Sequence, residues 1–217
     1  MMKDNKVYAV ITGDIVDSTK LDSTEREVLF KILKNTFSVI KKIEKDTSFK
    51  VFRGDSFQGI SASPQRALGY AIMIRAALRT IEQDSLENMW DARIAVGIGM
   101  VEFPDKEILK ADGEAFRNSG RMLSKMKSDE RILVKTPWKS VNEEFDVACA
   151  LSDGIIKKWS SSQAQVIVKQ IAGMNQTEIA EELKISQAAI HYRLKAANWD
   201  AINKFLKRYQ TVINQNV

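Results

Sequence analysis

The pattern of apolar and polar residues predicts short strands alternating with helices over the first two thirds of the chain. A short apolar run at residues 6–11 predicts a buried strand. Apolar residues at spacings of three and four over residues 21–45 predict a long helix opened by Asp22 or Ser23. Residues 48–61 then carry two apolar segments around a turn, which predicts a β-hairpin.

The pattern continues with a second helix over residues 64–82 and a strand over residues 93–101. Residues 112–127 predict a turn into a third helix, and residues 131–135 a further strand. The first six elements follow the order of a ferredoxin-like palm, an antiparallel sheet with helices on one face. The sequence therefore predicts an α+β fold for this part of the chain.

Residues 175–197 predict a helix-turn-helix. Asn175 and Glu178 have the spacing of a capping box, and Ser186 can cap a second helix in which Ile190 and Leu194 face inward. A second helix with polar residues outward can lie in the major groove of DNA. The alternative is a helical pair that only packs or dimerises. The candidate DNA-binding residues are Gln187, Ala188, His191, Tyr192, Arg193 and Lys195.

The net charge of +5 lies entirely in the C-terminal part. Residues 155–217 contain nine Lys/Arg and four Asp/Glu, whereas the preceding residues balance. We place a domain boundary near residue 155, which predicts a palm domain over residues 1–155 and an all-α helix-turn-helix domain over residues 156–217. A modest basic excess beside that motif favours double-stranded DNA as a partner.

Composition excludes or disfavours several classes of protein. The single cysteine, Cys149, excludes an intramolecular disulfide, and a single histidine disfavours a Ser-His-Asp or Cys-His catalytic site. No apolar run approaches the roughly 18 residues of a membrane span. The first segment, MMKDNKVYAVITGD, is too short and becomes acidic too soon for a signal peptide. We therefore expect a cytoplasmic protein without membrane contact.

Two Gly-Asp pairs carry the candidate chemistry of the palm. Asp14 ends the first strand, and Asp55 lies in the hairpin turn after Gly54. Carboxylates from neighbouring strands can converge on Mg²⁺, which would anchor a nucleoside triphosphate. The alternative is that each Gly-Asp pair only forms a turn, where these residue types are common, and binds no ligand.

The ordered segments GDIVDST, FRGDSF, RIAVGIG and DGEAFRNSGRML resemble the catalytic domain of class III nucleotide cyclases over roughly residues 7–135. The resemblance implies that Asp14 and Asp55 bind the metal. It further implies that Ile15, Ser18 and Thr19 complete the first motif, with main-chain amides after Asp14 facing the phosphates.

The resemblance also aligns the family's later motif, Gly-x-x-x-Asn-x-x-x-Arg, with Gly113 and Arg121 at its ends. Arg117 stands where that motif has asparagine, with Asn118 beside it; Arg117 and Arg121 remain candidate nucleotide-binding residues.

Two further positions depart from the cyclase pattern. Val51 stands where cyclases have a purine-selecting lysine, one place after Lys50, and Lys110 replaces an acidic residue. We therefore expect a palm that senses a nucleotide without cyclising it. The alternative is an active Mg²⁺-dependent enzyme on nucleoside triphosphates.

A cyclase-like palm followed by a helix-turn-helix resembles the SatD family, and the segment GEAFRNSGRML is similar to that family as well. The SatD resemblance implies this two-part architecture, and the helix-turn-helix at its end favours a DNA-binding transcriptional regulator. Since cyclase-type palms pair head to tail, the cyclase resemblance implies a homodimer. A non-catalytic assembly protein is a third hypothesis.

The last predicted helix has one apolar stripe, which either closes the core or forms a dimer seam. Lys204, Lys207 and Arg208 lie off this stripe and are candidates for phosphate contact. The stripe consists of Trp199, Ile202, Leu206, Tyr209 and Ile213.

Overall fold

The computed structural model describes residues 6–52, 55–86, 88–102 and 112–217. In these ranges the chain forms a six-stranded sheet and eight α-helices. The strands are β1 (Val7–Ile15), β2 (Thr47–Phe52), β3 (Ser56–Ser61), β4 (Ala92–Glu102), β5 (Asp112–Gly113) and β6 (Ile132–Lys135). The helices are α1 (Ser23–Ile43), α2 (Ala67–Leu78), α3 (Glu114–Lys125), α4 (Lys139–Ile156), α5 (Ser161–Ile171), α6 (Gln176–Leu183), α7 (Gln187–Ala196) and α8 (Trp199–Asn216).

The strand order is β2-β3-β1-β4-β5, and β6 pairs with β4. All neighbours along this path are antiparallel, whereas β6 runs parallel to β4. The order of the first four strands is that of a ferredoxin-like βαββαβ unit, in which β1 lies between β3 and β4. The predicted α+β class and antiparallel sheet are confirmed.

Local signals set the beginnings of the first two helices. Asp22 accepts from the Glu25 N–H at 2.8 Å, and the Glu25 carboxylate accepts from the Asp22 N–H, which forms a capping box at the start of α1. Pro64 opens a 3₁₀ turn directly before α2, and α2 ends at Leu78, four residues earlier than predicted.

The sheet is covered on both faces. Ala9 and Ile11 pack toward α1 and α2 in the main core, whereas Val10 faces the other way, toward α3. A Cβ on Gly97 would lie only 2.3 Å from the Ala115 carbonyl oxygen of α3. Because the α3 backbone rests directly on β4 there, that position excludes a side chain.

The C-terminal helices pack against the palm in one continuous apolar core. Helix α2 is buried on almost every side, since α1 and the sheet cover part of it and α5 and α8 cover the rest. Tyr209 of α8 donates to the Pro64 carbonyl at 2.7 Å, and the Trp159 indole N–H donates to the Ala197 carbonyl at 2.8 Å. The predicted boundary at residue 155 falls in the last turn of α4 and stays a prediction.

A buried ion network lies where these parts meet. The Arg75 guanidinium of α2 donates to both carboxylate oxygens of Asp91, each at 2.8 Å, and also pairs with Asp153 of α4. Asp153 additionally accepts from the backbone N–H of Arg131, directly before β6, at 2.8 Å. Arg79 donates to the carbonyls of the segment that follows α4. The network therefore joins α2, the start of β4, β6 and α4.

Candidate functional site

Asp14 lies near the end of β1, where the register sets it between Ser56 of β3 and Arg93 of β4. Partners in antiparallel strands present their side chains on one face. The Arg93 Nε donates to Asp14 Oδ1 at 3.0 Å, and Nη2 donates to Oδ2 at 2.6 Å. The hydrogen bond with Asp14 and the carboxylate charge raise the pKa of Arg93, and this pair remains partly open to solvent.

Sequence reasoning did not include Arg93 in the site. Its position was nevertheless visible, because it opens the predicted strand RIAVGIGMV. What was missing was the β1–β4 register, which aligns Arg93 with Asp14 across the sheet.

Asp55 lies at the same end of the sheet as Asp14. The Ile15 N–H donates to the Asp55 carbonyl at 2.9 Å, so the two backbones are adjacent. The Asp55 carboxylate accepts from the Ser18 hydroxyl at 3.0 Å and from the Ser56 hydroxyl at 3.2 Å. The structure therefore places Asp14 and Asp55 at one end of the sheet and joins Ser18 to Asp55, whereas Gly54 lies outside the described residues.

The segment after Asp14 differs from the expected phosphate cradle. The Ile15 side chain is buried in the core, and its N–H is used by Asp55. The Val16 N–H donates to the Asp91 carbonyl at 3.0 Å. These two amides are therefore engaged within the protein, and phosphate contact through them is disfavoured. Thr19 is exposed, in the 3₁₀ turn Ser18–Lys20.

A row of polar side chains extends from Asp14 along the same face of the sheet. The Thr12 hydroxyl donates to Ser119 Oγ of α3 at 2.9 Å and accepts from Gln58 Nε2 at 3.0 Å. Lys50 pairs in register with Gln58 and is exposed on this face, whereas Val51 faces the main core. A strand reverses its side chains at each residue, so Lys50 is the residue that β2 presents beside the polar row.

Arg117 and Arg121 lie on the exposed side of α3, one helical turn apart. Arg117 Nη1 is 3.4 Å from Asp112 Oδ1, and both side chains are largely exposed. Asn118 instead turns toward the sheet and donates to the Ile98 carbonyl at 3.0 Å. Among the described contacts, neither arginine is hydrogen-bonded to Asp14 or Asp55. Lys110 lies outside the described residues.

The donor set at Asp14 and Asp55 fits a magnesium ion carried in by a phosphate ligand. Mg²⁺ is commonly held by one or two carboxylates together with phosphate oxygens and waters. No third acidic, histidine or cysteine side chain completes a metal cluster anywhere in the described ranges. With only these two carboxylates, and Asp14 already paired with Arg93, the donor set suits such a shared ion better than a resident one.

The second candidate surface is α7. Asn175 accepts from the N–H groups of Thr177 and Glu178 in a capping box, and Lys184 adopts a left-handed conformation that ends α6. The Ser186 hydroxyl accepts from the Ala189 N–H at 3.1 Å and begins α7. These local predictions agree with the structure.

The outward residues of α7 are exposed, whereas Ile190 and Leu194 are buried. Arg193 differs from the rest, because it is half-buried and its Nη1 lies 3.5 Å from the Ser162 carbonyl of α5. Of the candidate DNA-binding residues, Gln187, Ala188, His191, Tyr192 and Lys195 are exposed.

The apolar stripe of α8 is buried within the monomer, which excludes the dimer seam. Tyr209 and Phe205 pack on Phe145 of α4. Arg208 forms a bidentate pair with Glu144 at 2.7 and 3.0 Å, so its predicted phosphate contact competes with that pair. None of the described helices is long and apolar enough to cross a bilayer.

Comparison with known proteins gives one family and several similar structures. The model of the SatD family matches residues 8–214. The monomeric guanylyl cyclase domain of the RhoGC fusion protein from the aquatic fungus Blastocladiella emersonii is 16% identical, with a TM-score of 0.46 over 61% of this chain and 82% of that one. The guanylate cyclase domain of RhGC from Catenaria anguillulae, in complex with GTP, is 18% identical, with a TM-score of 0.44 over 58% and 76%.

The guanylyl cyclase Cya2 is also 18% identical, with a TM-score of 0.44 over 66% of this chain and 80% of that one. No curated protein matches the chain significantly. At these identities and TM-scores, the structural similarities carry no conclusion about activity or ligands.

Proposed function

The chain belongs to the SatD family, and we propose that it is a DNA-binding regulator whose cyclase-like palm senses a nucleotide without cyclising it. The observation that carries the nucleotide half is the meeting of Asp14, Asp55 and Arg93 at one end of the sheet. Carboxylates for a metal beside a guanidinium for phosphate are the groups that a metal–triphosphate complex requires.

Arg93 has two roles in this proposal. Without ligand it neutralises Asp14 through the bidentate pair. With a nucleotide it turns to two oxygens of one phosphate group, which accept from the guanidinium in the same bidentate way, and frees Asp14. Bound Mg²⁺ would neutralise charge on the phosphate oxygens. Exposed Lys50 supplies a second cation on the same face.

The test of this half is thermal unfolding with each of the four nucleoside triphosphates, with and without Mg²⁺. A ligand at a hundred times its dissociation constant stabilises by about 2.7 kcal/mol, or about 5–10 °C for a chain of this size. We expect the shift to disappear in Asp55→Asn and to persist in Asp46→Asn, an exposed aspartate elsewhere. Absence of a shift with every triphosphate overturns this half.

The departures in α3 support sensing over cyclisation. Arg117 stands where the motif of class III nucleotide cyclases has asparagine. The side-chain amide of neighbouring Asn118 donates to the Ile98 carbonyl. The carboxylate pair favours one alternative, a Mg²⁺-dependent enzyme on nucleoside triphosphates. That enzyme would release a product that Asp14→Asn abolishes, whereas the sensor returns its triphosphate unchanged.

The DNA half rests on the exposed outer face of α7. We propose that α6 and α7 form a helix-turn-helix, with Gln187, His191 and Tyr192 directed to base edges and Lys195 to phosphate. Side-chain exposure along α7 leaves these groups free for such contacts. The excess of basic residues in this part of the chain supports a polyanionic partner.

Duplex binding measured over a range of salt concentrations tests the DNA half. Loss of one phosphate contact in Lys195→Ala should weaken binding and reduce the slope of log affinity against log salt by about 1. Lys31→Ala, an exposed lysine of α1, is the matched control. A chain that binds no duplex at low salt, or Lys195→Ala behaving as Lys31→Ala does, contradicts this half.

A further inference from the structure

The outer face of α4 carries large apolar side chains that nothing in the described chain covers. Val147 is 61% exposed and Leu151 is 68% exposed. Ala150 and Gly154 lie on the same side, since residues three and four apart share a face of a helix. The four residues form one stripe, which we call the α4 ridge.

Helix α4 therefore has two apolar faces. The opposite face is buried in the main core through Val141, Phe145, Cys149 and Ile156. A helix with an apolar stripe outside the one that anchors it is typical of an interaction surface. A groove of about 540 Å³ beside α3 borders the helix at Glu143 and Asp146, and Ala150 and Gly154 of the ridge line a second groove of about 1140 Å³.

The α4 ridge is complementary to itself in an antiparallel arrangement. About a two-fold axis between Ala150 and Leu151, each Leu151 faces the other copy's Ala150, and each Val147 faces Gly154. Large side chains thus meet small ones at every position. A Cβ added to Gly154 would meet no atom within 4 Å, so the space above this glycine is open to a facing valine.

The charges at the two ends of the ridge fit the same arrangement. Glu143 precedes Val147 by one turn of α4 and lies on the stripe side. Lys158, in the turn after α4, lines the same groove as Ala150 and Gly154, and both charged side chains are exposed. An antiparallel pair sets Glu143 of each copy beside Lys158 of the other. Glu143 has only a loose contact at 3.9 Å with Lys139 of its own helix, which leaves it available. A parallel pair would instead oppose like charges.

We propose that a second copy of this chain docks on the α4 ridge, in an isologous dimer with antiparallel α4 helices. The surface is distinct from the polar face of the sheet and from α7, and the dimer requires neither nucleotide nor DNA. An 18-residue helix is about 27 Å long. One such helix pair buries less than the roughly 1,200 Å² of a standard interface, so we expect a dissociation constant of about micromolar or weaker.

Sedimentation velocity of the full chain over a concentration series tests the proposal. We expect reversible dimerisation that Leu151→Glu weakens at least about tenfold, because two buried carboxylates would face an apolar surface. Val28→Glu, which introduces the same charge at an exposed apolar position of α1, should dimerise like the unmodified chain. Thermal unfolding of each variant verifies that the monomer remains folded.

Charge reversal tests the antiparallel register. Glu143→Lys should weaken the dimer about tenfold, and adding Lys158→Glu should restore it to within about threefold. Gly154→Leu should leave the monomer folded and weaken the dimer, since the added side chain points into open space in the monomer and into Val147 of the second copy.

Three results overturn the proposal. The first is a chain that stays monomeric at roughly millimolar concentration. The second is a dimer unaffected by Leu151→Glu, which would place the contact elsewhere, for example on the palms. The third is failure of Lys158→Glu to rescue Glu143→Lys, which excludes the antiparallel register.

Discussion

Replacing Arg75 with methionine removes the cation at the centre of the buried network. The Arg75 side chain is fully buried and serves two carboxylates, Asp91 and Asp153, that are themselves nearly buried. Breaking a buried ion pair by removing one partner costs about 3–5 kcal/mol, because the remaining charge is left without compensation. For a chain of this size we expect a melting temperature lower by about 10 °C at pH 7.

The loss of stability in Arg75→Met should depend on pH. In the unmodified chain burial acts to raise the pKa of Asp91. The charge and hydrogen bonds of Arg75, with smaller contributions from Arg79 and the Ala92 N–H, outweigh it and hold this pKa below its ordinary value. Burial raises the pKa of Asp153, and Arg75 offsets that only in part. Without Arg75, Asp91 keeps the Arg79 charge and the Ala92 N–H, and Asp153 keeps only backbone donors. Both folded-state pKa values should rise, and that of Asp153 should lie further above its unfolded value.

A carboxyl whose pKa is raised by folding destabilises the protein above that pKa, and the penalty disappears as the pH falls toward the unfolded value of about 3.9. In the unmodified chain, by contrast, the lowered pKa of Asp91 stabilises above the unfolded value, and that contribution is lost as the pH falls through the folded pKa. The Asp91 contribution of the unmodified chain is the same at pH 7 and pH 5, because both lie above the unfolded value. The penalty from the raised pKa values in the variant therefore makes the deficit of Arg75→Met largest near pH 7 and smaller near pH 5.

Urea and thermal unfolding followed by far-UV circular dichroism at pH 7 and pH 5 measure this deficit. Arg121→Met, an exposed arginine of α3, is the control and should stay within about 0.5 kcal/mol of the unmodified chain. A deficit for Arg75→Met below about 1 kcal/mol at pH 7, or one equal at both pH values, would refute the assignment of a buried charge network.

Three further predictions concern packing and reactivity. Gly97→Ala should destabilise the protein by about 1–3 kcal/mol in urea unfolding, since its Cβ meets the α3 backbone. Gly120→Ala, with open space around it, should stabilise the protein by about 0.5–1 kcal/mol. Equal effects of the two substitutions would contradict the close approach of α3. Tyr209→Phe should cost about 0.5–1.5 kcal/mol in the same assay, because the Pro64 carbonyl loses its side-chain donor and keeps only the Ala67 N–H; an unchanged midpoint would refute that bond. Burial raises the pKa of Cys149, so a thiol reagent at pH 8 should label the folded chain far more slowly than the chain in urea, and equal rates would contradict its burial.

Much of the fold followed from local pattern. The capping residues Asp22, Asn175 and Ser186 begin helices at their predicted places, because a cap depends only on side chains and amides three residues apart. The alternation of helices and strands likewise led to the correct palm order. Adjacent placement of Asp14 and Asp55 followed from that order, since β1 lies beside the hairpin.

The composition of the site was only partly predictable. Arg93 was missed because its partner is 79 positions away, and only the strand register joins them. In the sequence Lys50 lies one position before the place of the cyclases' purine-selecting lysine. The pleat of β2 nevertheless puts Lys50 on the same face of the sheet as Gln58 and Thr12. Asn118, rather than Arg117, turns toward the sheet, because α3 rests directly on β4 and its rotation is set by that contact.

The sequence by itself determined where α1, α6 and α7 begin, that the stripe of α8 is apolar, and which end of the sheet carries carboxylates, whereas it gave no prediction for α4. Those properties depend on neighbours a few positions apart. Only the tertiary structure decided what covers each apolar face. The stripe of α8 indicates burial without naming its partner, which proved to be the palm rather than a second chain. Conversely, Val147 and Leu151 of α4 remain uncovered, a fact that depends on how every other helix packs.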